Sequence, residues 1–96
     1  MPKASGRRKV RKRGWGAIVT DILEASLTPE RKMRIMYKAN LNFQRFDRYF
    51  KDLLAKGFVE KASDPDGSVL YRVSERGKTL LDALRKARDL AGSEEY

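Results

Sequence analysis

Asn40-Leu41-Asn42 is all that separates two helical patterns in the middle of this 96-residue chain. Before it, Thr28-Pro29-Glu30 places an N-cap hydroxyl, a proline at the first helical position and an acid in the positive first turn. That predicts a short helix carrying Met33, Ile35, Met36, Tyr37 and Ala39 and ending near Asn40, a residue that tolerates the left-handed conformation past helix ends. After it, Asn42 is placed to cap a helix with Phe43, Phe46, Phe50, Leu53 and Leu54 on one side and Gly57 at its end. Two helices joined by about three residues form one angled unit, a helix-turn-helix.

The flanking segments complete the pattern. Trp15, Ile18, Val19, Ile22 and Leu23 follow the i, i+3, i+4, i+7, i+8 spacing of a helix with one buried stripe, from about Gly14 to Ser26. Trp15, as the first residue of that stripe, is expected to pack against the last helix. Phe58 to Lys61 and Ser68 to Val73 are rich in β-branched and aromatic residues, and Asp64-Pro65-Asp66-Gly67 between them is turn chemistry, so a hairpin is expected. Ser74 then caps a final helix over about Glu75 to Ala91, with Gly77 in its first turn and a stripe of Leu80, Leu84, Ala87 and Ala91. The order predicts a mainly α fold with a small β-hairpin, a winged helix-turn-helix over residues 14–92, with 93–96 as a tail.

Charge divides the chain differently. Lys and Arg number 22 against 13 Asp and Glu, for a net charge of +9. Seven of the basic residues (Lys3, Arg7, Arg8, Lys9, Arg11, Lys12 and Arg13) fall in residues 1–13, which hold no acid. A like-charged segment with almost nothing apolar cannot bury enough surface to offset its ordering entropy, so it reads as a disordered basic arm. Such an arm suits phosphate, because each neutralised phosphate releases condensed counterions; a solubilising tail is the alternative.

The chain contains no Cys and no His. Disulfides, thiolate or imidazole metal sites and Cys/His or Ser/His nucleophilic pairs are thereby removed. No paired carboxylates sit in an apolar setting and no Gly-rich phosphate loop is present, so the reading is not an enzyme, with no cofactor and no metal. There is no apolar run long enough for a membrane span and no secretory signal, which predicts a cytoplasmic protein.

Candidate binding residues follow from helical geometry. At about 100° per residue the side opposite the Phe46, Phe50 and Leu53 stripe carries Gln44, Arg48, Lys51 and Ala55, with Arg45 and Asp47 on the flanks. Gln pairs bidentately with adenine and Arg with guanine, while Lys51 suits guanine or phosphate. An ordinary solvated face has the same composition. Phe46, Tyr49 and Phe50 have core spacing; Phe43, at the helix start, is the aromatic best placed for an apolar contact with DNA, and Asn42 beside it is counted with the DNA-binding candidates. On the hairpin, Lys61 and Arg72 can hold the DNA backbone, whereas phosphates repel Asp64 and Asp66 at the tip. Leu80, Leu84, Ala87, Arg88 and Ala91 make the C-terminal half of the last helix a candidate homodimer surface.

The run Arg34-Ile35-Met36-Tyr37-Lys38-Ala39-Asn40-Leu41-Asn42, followed by Arg48-Tyr49, Leu53-Leu54, Gly57-Phe58-Val59-Glu60-Lys61 and Tyr71 to Gly77, resembles the archaeal winged-helix family of small transcription-regulator-like proteins. That family includes the ten-kilodalton archaeal chromatin protein, and the resemblance covers about Trp15 to Leu90. It implies a winged helix that binds double-stranded DNA in an archaeal cytoplasm, with Phe43 to Lys56 as recognition helix and Phe58 to Val73 as wing. It also implies homodimerisation through an antiparallel coiled coil of last helices, although here the last helix reaches only Gly92-Ser93. The combined expectation is a DNA-binding transcription regulator. The alternatives are a chromatin-coating protein with little sequence preference and a winged helix used for protein-protein contact.

Overall fold

In the computed structural model, which describes residues 13–92, the first apolar stripe becomes α1 (Trp15–Ala25) at the centre of the packing. Ile18, Val19, Ile22 and Leu23 are almost wholly buried, and Gly16, Ala17, Thr20 and Ala25 are buried as well, so the helix is enclosed nearly all round. Enclosure begins at Gly16. Trp15, expected against the last helix, is instead 51% exposed, because it precedes the covered stretch.

The chain then departs from its local signals. Thr28-Pro29-Glu30 does not open the second helix; α2 is Lys32–Ala39, and its N-cap is Arg31, which makes no side-chain cap bond. Glu30 instead donates its N–H to the Tyr71 carbonyl at 2.9 Å and accepts the Tyr71 N–H at 2.8 Å, and the Ser26 carbonyl accepts from Val73 N–H. These bonds bridge Glu30 to the hairpin edge and give its N–H a partner that the first turn of a helix would not supply. α2 buries Ile35, Met36 and Ala39, leaves Met33 and Tyr37 exposed, and ends on Asn40 at φ 58.

The following elements form as their local chemistry dictates. The Asn42 side chain accepts the Arg45 N–H at 2.9 Å and starts α3 (Phe43–Ala55), which ends before Gly57 at φ 79. Phe46 and Phe50 are fully buried and stack at 4.9 Å, and Phe50 meets Tyr71 edge-on at 5.0 Å. β1 (Val59–Ser63) and β2 (Val69–Val73) pair antiparallel, with Val59 opposite Val73 and Ser63 opposite Val69. The Ser74 hydroxyl accepts the Gly77 N–H and donates to the Gly57 carbonyl, so one side chain caps α4 (Glu75–Ala91) and ties it to the end of α3.

α4 is rotated relative to the expected stripe. Gly77, Leu81 and Leu84 are buried, Leu80 is half-buried, and Ala87 and Ala91 are exposed. The cause is a close approach at Gly77, where a Cβ would lie 2.0 Å from the Phe58 carbonyl oxygen. Once residue 77 faces the hairpin, the helical period turns 81 and 84 inward and carries 80 and 87 to the side. Among the described residues no helix is long and apolar enough to cross a membrane.

Candidate nucleic-acid interface

Burial of Phe46, Phe50 and Leu53 fixes the rotation of α3 and leaves Gln44, Arg45, Arg48, Lys51 and Ala55 exposed together, as the helical period required. Arg45 and Arg48 have no hydrogen-bond or ion-pair partner for their side chains among the described residues, so both guanidinium forks stand open to an outside acceptor. Phe43 is 53% exposed at the start of the same helix. Asn42, counted among the candidates, uses its side-chain oxygen for the cap.

Lys51 is held differently. Asp47 accepts from Lys51 at 3.0 Å one turn away and from Lys32 of α2 at 3.1 Å. The bonds from Lys51 and then Lys32 keep the Asp47 carboxyl below the usual aspartate range, against a smaller opposing effect of burial. Lys32 also lies 5.9 Å from the Phe43 ring centre and 5.6 Å from that of Phe50. The i, i+4 half of this network is legible in the sequence. Lys32, a residue the sequence reading missed, comes from another helix, and nothing local signals it.

The hairpin presents Lys61 exposed and without a partner among the described residues. Arg72 is exposed but engaged, its Nε donating to Glu60 across the strands at 3.0 Å. At the tip, Gly67 N–H donates to the Asp64 carbonyl and Ser68 N–H to the Asp66 carboxylate at 2.8 Å. The bond from Ser68 keeps Asp66 ionised below the usual range, so the tip carries negative charge. Beneath the hairpin, the hydrogen bond from Lys38 and the neighbouring Arg34 hold the Glu30 carboxyl below its usual range.

Arg13 requires a correction. Expected as the last residue of a disordered arm, it is folded against the domain: Nη1 donates to Asp21 at 2.6 Å and to the Ala39 carbonyl at 2.8 Å, and Nη2 to the Asn40 carbonyl at 2.7 Å. The open carbonyls at the end of α2 draw the guanidinium in. Lys3, Arg7, Arg8, Lys9, Arg11 and Lys12 lie outside the described residues, as does the tail at 93–96. Among the proposed dimer residues, Leu84 belongs to the core of its own domain, Leu80 and Arg88 are half-buried, and Ala87 and Ala91 are exposed. Leu90, absent from that set, is 89% exposed.

A family described as winged helix-turn-helix matches residues 12–92. An uncharacterized protein of Methanocaldococcus jannaschii is 30% identical over 88 residues, covering 91% of this chain and 86% of the relative. Among solved structures, Sso10a-2, a DNA-binding protein from Sulfolobus solfataricus, superposes with a TM-score of 0.73 at 24% identity over 83% of each chain. SSV1 F-93 superposes with a TM-score of 0.64 at 17% identity over 88% of this chain and 97% of its own.

Proposed function

This chain belongs to the winged helix-turn-helix family, and from that premise we propose that it binds double-stranded DNA, with α3 lying in the major groove. The observation that carries the reading is the outward row of Gln44, Arg45 and Arg48, in which both guanidinium groups lack an internal acceptor among the described residues. A planar fork of donors on a rigid, capped helix suits guanine edges, and Gln44 suits adenine. The structural neighbour described as DNA-binding supports the same partner.

On the hairpin, Lys61 is the side chain free to reach a phosphate, and the acidic tip points away from the backbone. Base-reading chemistry on α3 favours a transcription regulator that works on nucleoid DNA. The basic segment before Arg13 favours a chromatin-coating component of binding, which adds affinity without sequence information. The molecule acts as a homodimer through the outer side of α4, where Leu80, Ala83, Ala87 and Leu90 repeat at three- and four-residue steps, the spacing of a coiled-coil seam.

Selection from random duplexes followed by footprinting tests this reading. A regulator yields a defined, roughly palindromic site, with half-sites separated by about a helical turn or a multiple of it. Binding of every duplex alike, with affinity set by salt alone, supports the coating reading. No binding beyond that of the isolated basic segment leaves protein-protein contact as the use of the fold.

A further inference from the structure

The turn between α2 and α3 sets how α3 is presented, and a side chain from outside the helix pair holds it. Asn40 sits there at φ 58 and ψ 51, and Asn42 caps α3 two residues later. Within the turn, Asn40 N–H donates to the Tyr37 carbonyl and Leu41 N–H to the Met36 carbonyl. The Ala39 and Asn40 carbonyls accept instead from Arg13, through Nη1 at 2.8 Å and Nη2 at 2.7 Å. The same Nη1 donates to the Asp21 carboxylate at 2.6 Å. Asp21 belongs to α1, whose Ile18, Val19 and Ile22 are almost wholly buried, so the guanidinium ties the turn to the helix at the centre of the packing. The Arg13 side chain is only 27% exposed, and its fork is committed to the domain. Resting on the DNA-binding reading above, we propose that Arg13 is a positioning residue for recognition. It fixes the direction in which α3 leaves the turn, and so where Gln44, Arg45 and Arg48 meet the base edges.

A planar fork suits this task. It meets acceptors on two elements in one fixed geometry, whereas a lysine ammonium is a point charge on a flexible stem. The carbonyls lie at the C-terminal end of α2, where a cation is favoured whether or not DNA is present. The start of α2 is joined to α3 separately, by Lys32 and Asp47 at 3.1 Å, so α2 is braced at both ends. Arg13 holds the end from which the base-reading row departs. Arg48 lies six residues past the Asn42 cap, about 9 Å along the helix axis. A tilt of about 10° at the turn, inside the ordinary scatter of helix crossing angles, carries that position about 1.5 Å sideways. A binding constellation works within about 0.5 Å of its productive geometry. The loss therefore falls on sequence preference and spares the charge-driven part of binding, which carries no sequence information.

The test uses the full chain and two duplexes: the site recovered from random sequence by selection with the parent protein, and a scrambled duplex of the same composition. Arg13→Gln removes the fork, and Asp21→Ala removes the tie to α1 from the other side. Each is expected to lower the preference for the selected duplex over the scrambled one by about tenfold, the size of one weakened base contact. The salt dependence of binding to the scrambled duplex should stay that of the parent. Arg13→Lys, which keeps the charge and loses the fork, should fare no better than Arg13→Gln. Combining Arg13→Gln with Asp21→Ala should cost little more than either alone, because both break one connection. Parent-like preference in the variants, with only the melting temperature lowered, makes Arg13 merely structural and overturns the inference while DNA binding stands. Equal weakening on both duplexes with a flatter salt dependence, rescued by Arg13→Lys, makes Arg13 a phosphate contact and overturns it too. A parent that binds neither duplex, or both alike, defeats the base-reading premise before any variant is made, and the inference falls with it. Asp21→Ala leaves Arg13 in place, so the test stands should the Arg13 variants fold poorly.

Discussion

The Phe58 carbonyl oxygen occupies the space where a Cβ on Gly77 would stand, 2.0 Å away, with a methyl of Val73 at 2.5 Å. α4 seats against the hairpin only because residue 77 has no side chain. Gly77→Ala gains up to about 1 kcal/mol of helix propensity but must move backbone at Phe58. A net loss of about 1–3 kcal/mol is expected from the forced repacking. Denaturant unfolding measures it as a lower midpoint at unchanged slope; equal stability would show that the contact yields freely.

Asp47 joins α2 to α3 through Lys32 and Lys51, and its carboxyl titrates below the unfolded value, about 3.9 for a free aspartate. A lowered folded pKa gives stability that is fully present above the unfolded value and is lost as pH falls through the folded one. Asp47→Asn should therefore be less stable than the parent at neutral pH, and the difference should close as the pH falls below about 4. Thermal unfolding of both proteins across that range checks it; a difference independent of pH would assign the effect to packing.

Arg48 and Phe50 sit on opposite sides of α3 and should fail in opposite ways. Arg48→Ala should leave stability within about 0.5 kcal/mol, since it is exposed and unpartnered among the described residues. It should cost about 1–3 kcal/mol of DNA binding, concentrated at one base position. Phe50→Ala should lose about 3–5 kcal/mol of stability, because it removes a fully buried ring that packs on Phe46 and Tyr71. Equal weakening on all sequences would make Arg48 a phosphate contact.

Deleting residues 1–12 while keeping Arg13 should flatten the dependence of log affinity on log salt by about 0.9 for each phosphate that the segment no longer neutralises. The melting temperature should not move. Deleting Arg13 as well should lower it, because the bonds to Asp21, Ala39 and Asn40 go too. An unchanged salt slope would show that the basic segment takes no part in binding.

Leu90 is 89% exposed, so Leu90→Glu should leave the folded domain intact and disrupt an apolar seam on α4. Analytical ultracentrifugation is expected to show a dimer for the parent and a monomer for the variant. A parent that is monomeric throughout the accessible concentration range would remove the α4 dimer and, with it, the expectation of a palindromic site.

Where a signal and its partner lie within a few residues, the sequence alone was enough. Asn42 reaches an N–H three residues ahead and Ser74 does the same for α4; Asn40 adopts the left-handed conformation on its own account; Asp64-Pro65-Asp66-Gly67 turns the chain by its own preferences. The exposed row on α3 is equally local, since burying Phe46 and Phe50 settles where residues 44, 45, 48 and 51 point. Tertiary structure decided the rest. Thr28-Pro29-Glu30 has good helix-start chemistry, yet the Tyr71 backbone takes both polar groups of Glu30 and holds that residue to the hairpin edge. The stripe on α4 turned because Gly77 meets Phe58, and Arg13 left the arm because the end of α2, 26 residues away, exposes carbonyls that need a donor. In each case the deciding partner is distant along the chain. A local preference of about 1 kcal/mol gives way to paired backbone groups and excluded volume, which exist only once the elements have packed.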